Sequence, residues 1–266
     1  MGIKKAYVDT RDGQIHYRFC AGGQEPPLVF FHMIASSSQC YERVMRMLEG
    51  EYRTVAMDTP GFGQSFSPLQ PPTITYYVSI LLEALTRLGI HEFHAFGHHT
   101  GAAIGIEMAA TVPERVKSLI MDGPVYLAKE EAKQFQDRLG KPVPIEPDGS
   151  HLMKVWRHVV SLDPDHPPIL CHREAVDTLR ALGSFHEAFA AVFSQDFETM
   201  FRKAQCRMLM MCPAQDLLMP YFQRVAEAFP RAKSVVIPEC GIYALDTRSE
   251  LIVTQIKTFL DEVKKR

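Results

Sequence analysis

Hydrophobic positions along the chain fall into two patterns, short unbroken runs and helical spacings, and their alternation predicts a fold class. Lys4–Asp9 alternates weakly, Asp12-Gly13 reads as a hairpin turn, and Gln14–Ala21 follows as the returning strand. Gly22-Gly23 ends that pattern. Pro27–Phe31 is a continuous apolar run, as in a strand covered on both faces. Thr54–Met57, Phe93–Phe96, Ser118–Met121, Met208–Met211 and Ser234–Ile237 continue the series. Helical spacing falls between them, at Tyr41–Leu48, Tyr76–Leu88, Ala102–Thr111, Phe222–Phe229 and Glu250–Val263. Buried strands alternating with helices predict an α/β protein: a mostly parallel, twisted sheet of about eight strands with helices on both faces.

One stretch breaks the rhythm. From about Val125 to Lys203 the pattern is helical or loop-like, punctuated by Pro142, Pro144, Pro147, Pro164, Pro167 and Pro168. Leu152, Trp156, Phe185, Phe189, Phe193, Phe197 and Phe201 recur there, many at helical spacing. We therefore expect residues 1–124 and 205–266 to form the α/β core and residues 125–204 an inserted helical cap. Most of these aromatics should pack the cap onto the core, with a subset lining an apolar pocket above the sheet's C-terminal edge.

At 266 residues the chain can bury a full core as one large domain. A formal charge of −2 with mixed signs gives neither a nucleic-acid footprint nor a basic membrane patch. No apolar run approaches a membrane span, and the sequence after Met1-Gly2 lacks the apolar core of a signal peptide. Cys20, Cys40, Cys171, Cys206, Cys212 and Cys240 are scattered without a C-x-x-C spacing and read as buried thiols. The expected setting is cytoplasmic, as a monomer or homodimer whose partner is a small-molecule substrate or ligand. No G-x-G-x-x-G or P-loop pattern occurs, so no organic cofactor is expected.

The candidate chemistry begins at Phe93-His94-Ala95-Phe96-Gly97-His98-His99-Thr100-Gly101-Ala102. An apolar strand runs into a tight turn between two glycines and then into a helix of small residues. That is the layout of a nucleophile elbow, where larger neighbours would collide.

With this segment the chain resembles the α/β-hydrolase superfamily, across nearly all of its length except the cap. Phe30-Phe31-His32-Met33-Ile34 matches the family's segment leading into the oxyanion loop. Asp58-Thr59-Pro60-Gly61-Phe62-Gly63-Gln64-Ser65 is similar to its D-x-P-G-x-G-x-S stretch. Cys212-Pro213-Ala214-Gln215-Asp216 resembles the strand end that supplies the catalytic acid. Pro238-Glu239-Cys240-Gly241-Ile242 stands where the family carries its Gly-His pair.

The departures carry as much as the matches. His99 occupies the nucleophile position, Ile242 the place of the general-base histidine, and Met33 that of a glycine beside the oxyanion loop. Asp216 alone remains of the triad that the resemblance implies, so a standard acyl-enzyme route is not expected. An imidazole reaches further than a serine hydroxyl, and Ile242 leaves the old histidine site without a ring. We expect His99 to swing into that space and meet Asp216, directly or through one water, as general base or nucleophile, with the backbone N–H groups of Ile34 and Thr100 holding a developing oxyanion. Asp216 would raise the His99 pKa and burial would lower it, and the sequence does not say which prevails. Elimination, isomerisation, decarboxylation, cofactor-free oxygenation and water-activated hydrolysis all remain open, on a small, mostly apolar carbonyl, ester or ring compound. The alternative is a catalytically inactive ligand-binding or scaffold protein.

His32, Met33, Trp156, Phe185, His186, Phe189, Ile242 and Tyr243 are the candidate pocket residues, and Asp122 is the second-choice acid. A displaced serine from Ser36-Ser37-Ser38 acting beside His32 is a further alternative, although such residues more often form turns. His91, His94, His98 and His99 invite a metal site, but strand spacing should point neighbours to opposite faces, so none is expected.

Overall fold

The computed structural model describes residues 2–163 and 166–265; Pro164, one of the punctuating prolines, lies outside them. The strands are β1 (Lys4–Asp9), β2 (Gln14–Cys20), β3 (Gln24–Phe31), β4 (Tyr52–Met57), β5 (Phe93–His98), β6 (Val116–Asp122), β7 (Arg207–Pro213) and β8 (Lys233–Ile237). They form one sheet in the order β1-β2-β4-β3-β5-β6-β7-β8. The β1–β2 and β2–β4 pairs are antiparallel, and every other pair is parallel.

The helices are α1 (Glu42–Leu48), α2 (Ile74–Arg87), α3 (Thr100–Thr111), α4 (Lys129–Leu139), α5 (Ser150–Leu162), α6 (Pro168–Arg180), α7 (Phe185–Phe193), α8 (Phe197–Lys203), α9 (Met219–Ala228), α10 (Ala244–Thr247) and α11 (Ser249–Lys264). Among the described residues no strand falls between β6 and β7, where α4 to α8 follow one another.

Alternation along each central strand sends its side chains to two separate cores. Val29 and Phe31 join Ala95 and Met121 beneath α2 and α3, while Leu28 and Phe30 join Phe96 and Ile120 beneath α1 and α11. Val155, Val159, Phe185, Phe197 and Phe201 from the five-helix segment belong to the first of these cores, so the segment is packed onto that side.

Strand ends differ from the sequence expectation in two informative places. β3 starts at Gln24, and its pairing with β4 skips from Gln24 to Leu28, because Pro26 and Pro27 have no N–H to donate. β5 continues past Phe96, with Gly97 opposite Met121 and His98 opposite Asp122. That extension brings His98 alongside the end of β6.

Candidate active site

All the candidate chemistry collects at the C-terminal ends of parallel strands, where an open α/β sheet leaves its crevice. Between β5 and α3 the chain reverses at His99, whose φ of 48° and ψ of −104° are strained for a residue with a Cβ. The flanking glycines make the reversal possible. A Cβ on Gly97 would strike the Gly101 carbonyl, and one on Gly101 would strike that of Phe31. The His99 N–H is anchored on the Asp122 carbonyl at 2.9 Å, while the His99 carbonyl accepts from Ala102 and Ala103.

The bend lifts the imidazole to Asp216. Nε2 of His99 lies 3.0 Å from Oδ2 of Asp216, and the other carboxylate oxygen accepts the Leu218 N–H at 2.8 Å. With Asp216 ionised, Nε2 carries the shared proton and Nδ1 is left as the basic nitrogen. Burial pulls the His99 pKa down, but the charge and hydrogen bond of Asp216, with a smaller push from Asp122, outweigh it and the net shift is upward. Burial likewise pushes Asp216 up, yet the His99 charge and hydrogen bonds more than reverse it and hold the acid below its usual range. In the competition the sequence left open, the carboxylate prevails.

Behind this pair lies a second, unsatisfied one. Among the described residues, buried His98 has neither ring nitrogen hydrogen-bonded, and both side-chain oxygens of buried Asp122 lack a hydrogen-bond partner as well. The nearest approach between them, His98 Nε2 to Asp122 Oδ2, is 3.8 Å. Burial and the Asp216 charge push Asp122 up to about 7, with His99 opposing; burial and the His99 charge drive His98 well below the usual histidine range.

This corner corrects the expectation that adjacent histidines diverge. The His98 and His99 rings sit 4.6 Å apart, and one donor atom from each falls within 4.8 Å of the other and of an Asp216 oxygen. Strand alternation ends at the bend, which turns the second ring back over the first. Among the described residues these three form the set that meets the distance condition for sharing a metal ion, although His99 and Asp216 already satisfy one another.

Above His99 is a cavity of about 140 Å³. Of the candidate pocket residues, Met33, Phe185, Phe189, Ile242 and Tyr243 line it, together with His99, Ile34 and Thr100. His32, Trp156 and His186 do not. His32 is buried, with Nδ1 on the Met33 carbonyl at 2.8 Å and Nε2 accepting the Thr59 N–H at 3.0 Å, so it braces two loops. On α7 the lining stripe is Phe185, Phe189, Val192 and Phe193, and His186 is turned off it by one residue. On α5, Val155, Val159 and Leu162 line the cavity, which leaves Trp156 rotated away and packed on the core instead.

The Ile34 N–H is directed at Thr100 Oγ1, 3.4 Å away. The serine loop is fully occupied. Ser36 donates to Glu174 at 3.3 Å, Ser37 to Asp177 at 2.6 Å, and Ser38 accepts from Arg18 at 2.6 Å. None is bonded to His32, which removes the geometric basis for a displaced serine mechanism.

Sequence reasoning missed Glu174 and Thr178, which line the cavity from α6. The signal was available, because Leu170, Cys171, Glu174 and Ala175 mark one buried helical stripe with an acid in it. The lining residues Val125, Phe135, Leu139, Val143, Lys154 and His158 also went unremarked.

A model of the alpha/beta hydrolase fold family matches residues 26–150 of the chain, which include the elbow and the oxyanion loop. The chain has the α/β-hydrolase fold. It is 31% identical over 144 residues to a fluoroacetate dehalogenase from a Burkholderia species, a match covering 52% of this chain and 47% of that protein. The chain thus aligns with about half of that relative's length. A putative carbamate hydrolase, RutD, from Enterobacter cloacae is 26% identical over 231 residues, covering 80% of this chain and 84% of its own. Among solved structures, a putative lipase from Acinetobacter baumannii AYE superposes with a TM-score of 0.82 at 16% identity, covering 99% of this chain and 93% of that one. At that identity the likeness speaks for the hydrolase fold alone.

Proposed function

We propose that the chain is a hydrolase-fold enzyme in which His99, oriented by Asp216, is the general base acting on a small, mostly apolar carbonyl, ester or ring compound. The observation that carries this is the 3.0 Å contact between His99 Nε2 and Asp216 Oδ2, made by an imidazole that also lines a cavity. In this reading Asp216 fixes the proton on Nε2, so that Nδ1 takes a proton from a bound water or from an acidic C–H of the ligand. The resulting imidazolium is stabilised by the same carboxylate. Developing negative charge on the substrate oxygen is met by the N-terminus of α3 at Thr100 and by the Ile34 N–H, once that donor leaves Thr100 Oγ1. A positioned base of this kind contributes roughly 10²–10⁴-fold.

In the same proposal residues 125–204 act as a cap that excludes water from the dyad, and residues 1–124 with 205–266 are the core. Among the described residues no helix is long and apolar enough to cross a membrane, and all six cysteines are free thiols. A cytoplasmic, small-molecule role as a monomer or homodimer suits both, with no call for nucleic acid.

The test is turnover of a panel of small esters and enolisable ketones by the wild-type protein and His99→Ala, each with and without a chelator. A loss of at least 100-fold in His99→Ala, with chelation harmless, supports the dyad. Activity abolished by chelation and restored by zinc would instead favour a metal ion held by His98, His99 and Asp216, the second reading their spacing allows. Activity indifferent to His99, or absent throughout the panel, would overturn the dyad in favour of a ligand-binding protein.

A further inference from the structure

The cavity has a second polar pole. Glu174 is only 3% exposed, yet it is a lining residue, and its two oxygens are used unequally. Oε1 accepts from Arg173 Nε at 2.9 Å, from Arg173 Nη2 at 2.6 Å and from Ser36 Oγ at 3.3 Å. Oε2 accepts no hydrogen bond from any described residue, and it is not among the side-chain oxygens shut away from open space. A carboxylate oxygen left without a donor in a dry wall is costly, and a ligand that supplies one recovers that cost.

The charge balance of the wall says which donor fits. Arg173 is the guanidinium in contact with Glu174, and it is divided, its Nη1 and Nη2 also reaching the two carboxylate oxygens of Asp246 at 2.8 and 2.7 Å. One cation therefore serves two acids. Asp177, one turn along α6, adds negative charge and is itself held by Ser37. The cation that lines the cavity, Lys154 on α5, is drawn to Glu146 at 4.0 Å and is not among the charges acting most on Glu174. Much of the rest of the lining is aliphatic or aromatic; Thr178, a turn away, already donates its hydroxyl to the Glu174 carbonyl, and Tyr243 adds a hydroxyl that feels the Glu174 charge.

This pole is separate from the dyad. The charges acting most on Glu174 are Arg173, Asp177 and Asp246; those acting on His99 are Asp216 and Asp122. Volume sets the scale between them. The cavity's 140 Å³ is close to the roughly 150 Å³ of an engineered apolar cavity that takes up benzene, so one ring with a short arm fills it.

We propose that Glu174 Oε2 is an anchor for a basic nitrogen, and that the ligand of this cavity is a small aryl or alkyl compound carrying an ammonium group at one end. This deepens the proposed function in that it uses the same cavity, but it does not depend on His99 being catalytic.

The test is binding, measured calorimetrically on the full chain at neutral pH with chelator present. The probes are 2-phenylethylammonium, its uncharged near-isostere propylbenzene, and 3-phenylpropanoate. The ammonium compound should bind at least tenfold more tightly than propylbenzene and the carboxylate more weakly than either. Glu174→Gln should erase the ammonium preference while leaving propylbenzene within about twofold. Equal binding of ammonium and hydrocarbon by the wild-type protein overturns the proposal whether or not the variant folds. A preference that survives in Glu174→Gln does so too. Repeating the titration on His99→Ala separates the two proposals, since an ammonium preference retained there without any turnover in the wild type removes the catalytic reading and spares this one.

Discussion

Gly123 lies edge-on against the ring of His99: a Cβ at that position would occupy the space of His99 Cδ2 and Nε2. Gly123 also has a φ of +66°, which a residue with a side chain adopts reluctantly. The imidazole can reach Asp216 because the residue after β6 has no side chain. Gly123→Ala should therefore push the ring off Asp216, lowering turnover at least tenfold and stability by about 1–3 kcal/mol. Urea denaturation alongside steady-state kinetics checks both, and full activity in a folded variant would contradict the geometry.

Asp216→Asn should change both the height and the position of the pH profile. As the base, His99 must be neutral, and its pKa is raised in the folded protein. Turnover should thus fall as pH drops through that raised value. Removing the Asp216 charge lets burial dominate, so the acid limb should move to lower pH while the plateau drops roughly 10²–10⁴-fold. A limb that stays in place in the variant would assign the titration to another group.

Asp58 should govern stability in acid. Buried and inaccessible, it accepts from the backbone N–H of Ser38 at 2.7 Å and of Gln64 at 2.9 Å, and meets His16 Nδ1 at 2.7 Å. Burial raises its pKa, but these partners and the nearby His32 overcome that and bring it to about 2. Its folded value is depressed, so the stabilisation is complete above the unfolded carboxylate value near 3.9 and fades as pH falls toward 2. That shift corresponds to between about 2 and 3 kcal/mol. Asp58→Asn should be destabilised at pH 7, with the gap to wild type narrowing between about pH 4 and pH 2. Urea midpoints across that window decide it.

Phe201 should matter to the attachment of the five-helix segment. It is fully buried at the end of α8, stacked on Phe229 with centroids 3.9 Å apart, and Arg231 donates to the Phe201 and Ala204 carbonyls. Phe201→Ala should cost about 3–5 kcal/mol. Proteolysis within residues 129–203 should accelerate in parallel, whereas unchanged cleavage would mean that other contacts hold the segment.

Much of the sheet was legible in the chain. All the strands inferred from apolar runs are present, because strands buried on both faces leave little ambiguity in composition. The pairing of His99 with Asp216 was also accessible, since it follows from where the elbow and the β7 turn sit in the fold. The errors came from side-chain direction. Trp156 and His186 sit one residue off the lining stripes of their helices, a difference of about 100° that aromatic content does not reveal. His98 and His99 were judged by strand alternation, a rule that lapses once φ turns positive. Glu174 was not singled out, although its place among Leu170, Cys171 and Ala175 marked it as buried.

The strand order has a consequence in time. His99 follows β5, but the carboxylate that orients it arrives only after the five-helix segment and β7, 117 positions later in the chain. A nascent polypeptide that has completed β6 still lacks the carboxylate that pairs with His99. The chemistry proposed for His99 is therefore withheld during synthesis until the seventh strand has joined the sheet and brought Asp216 to the elbow.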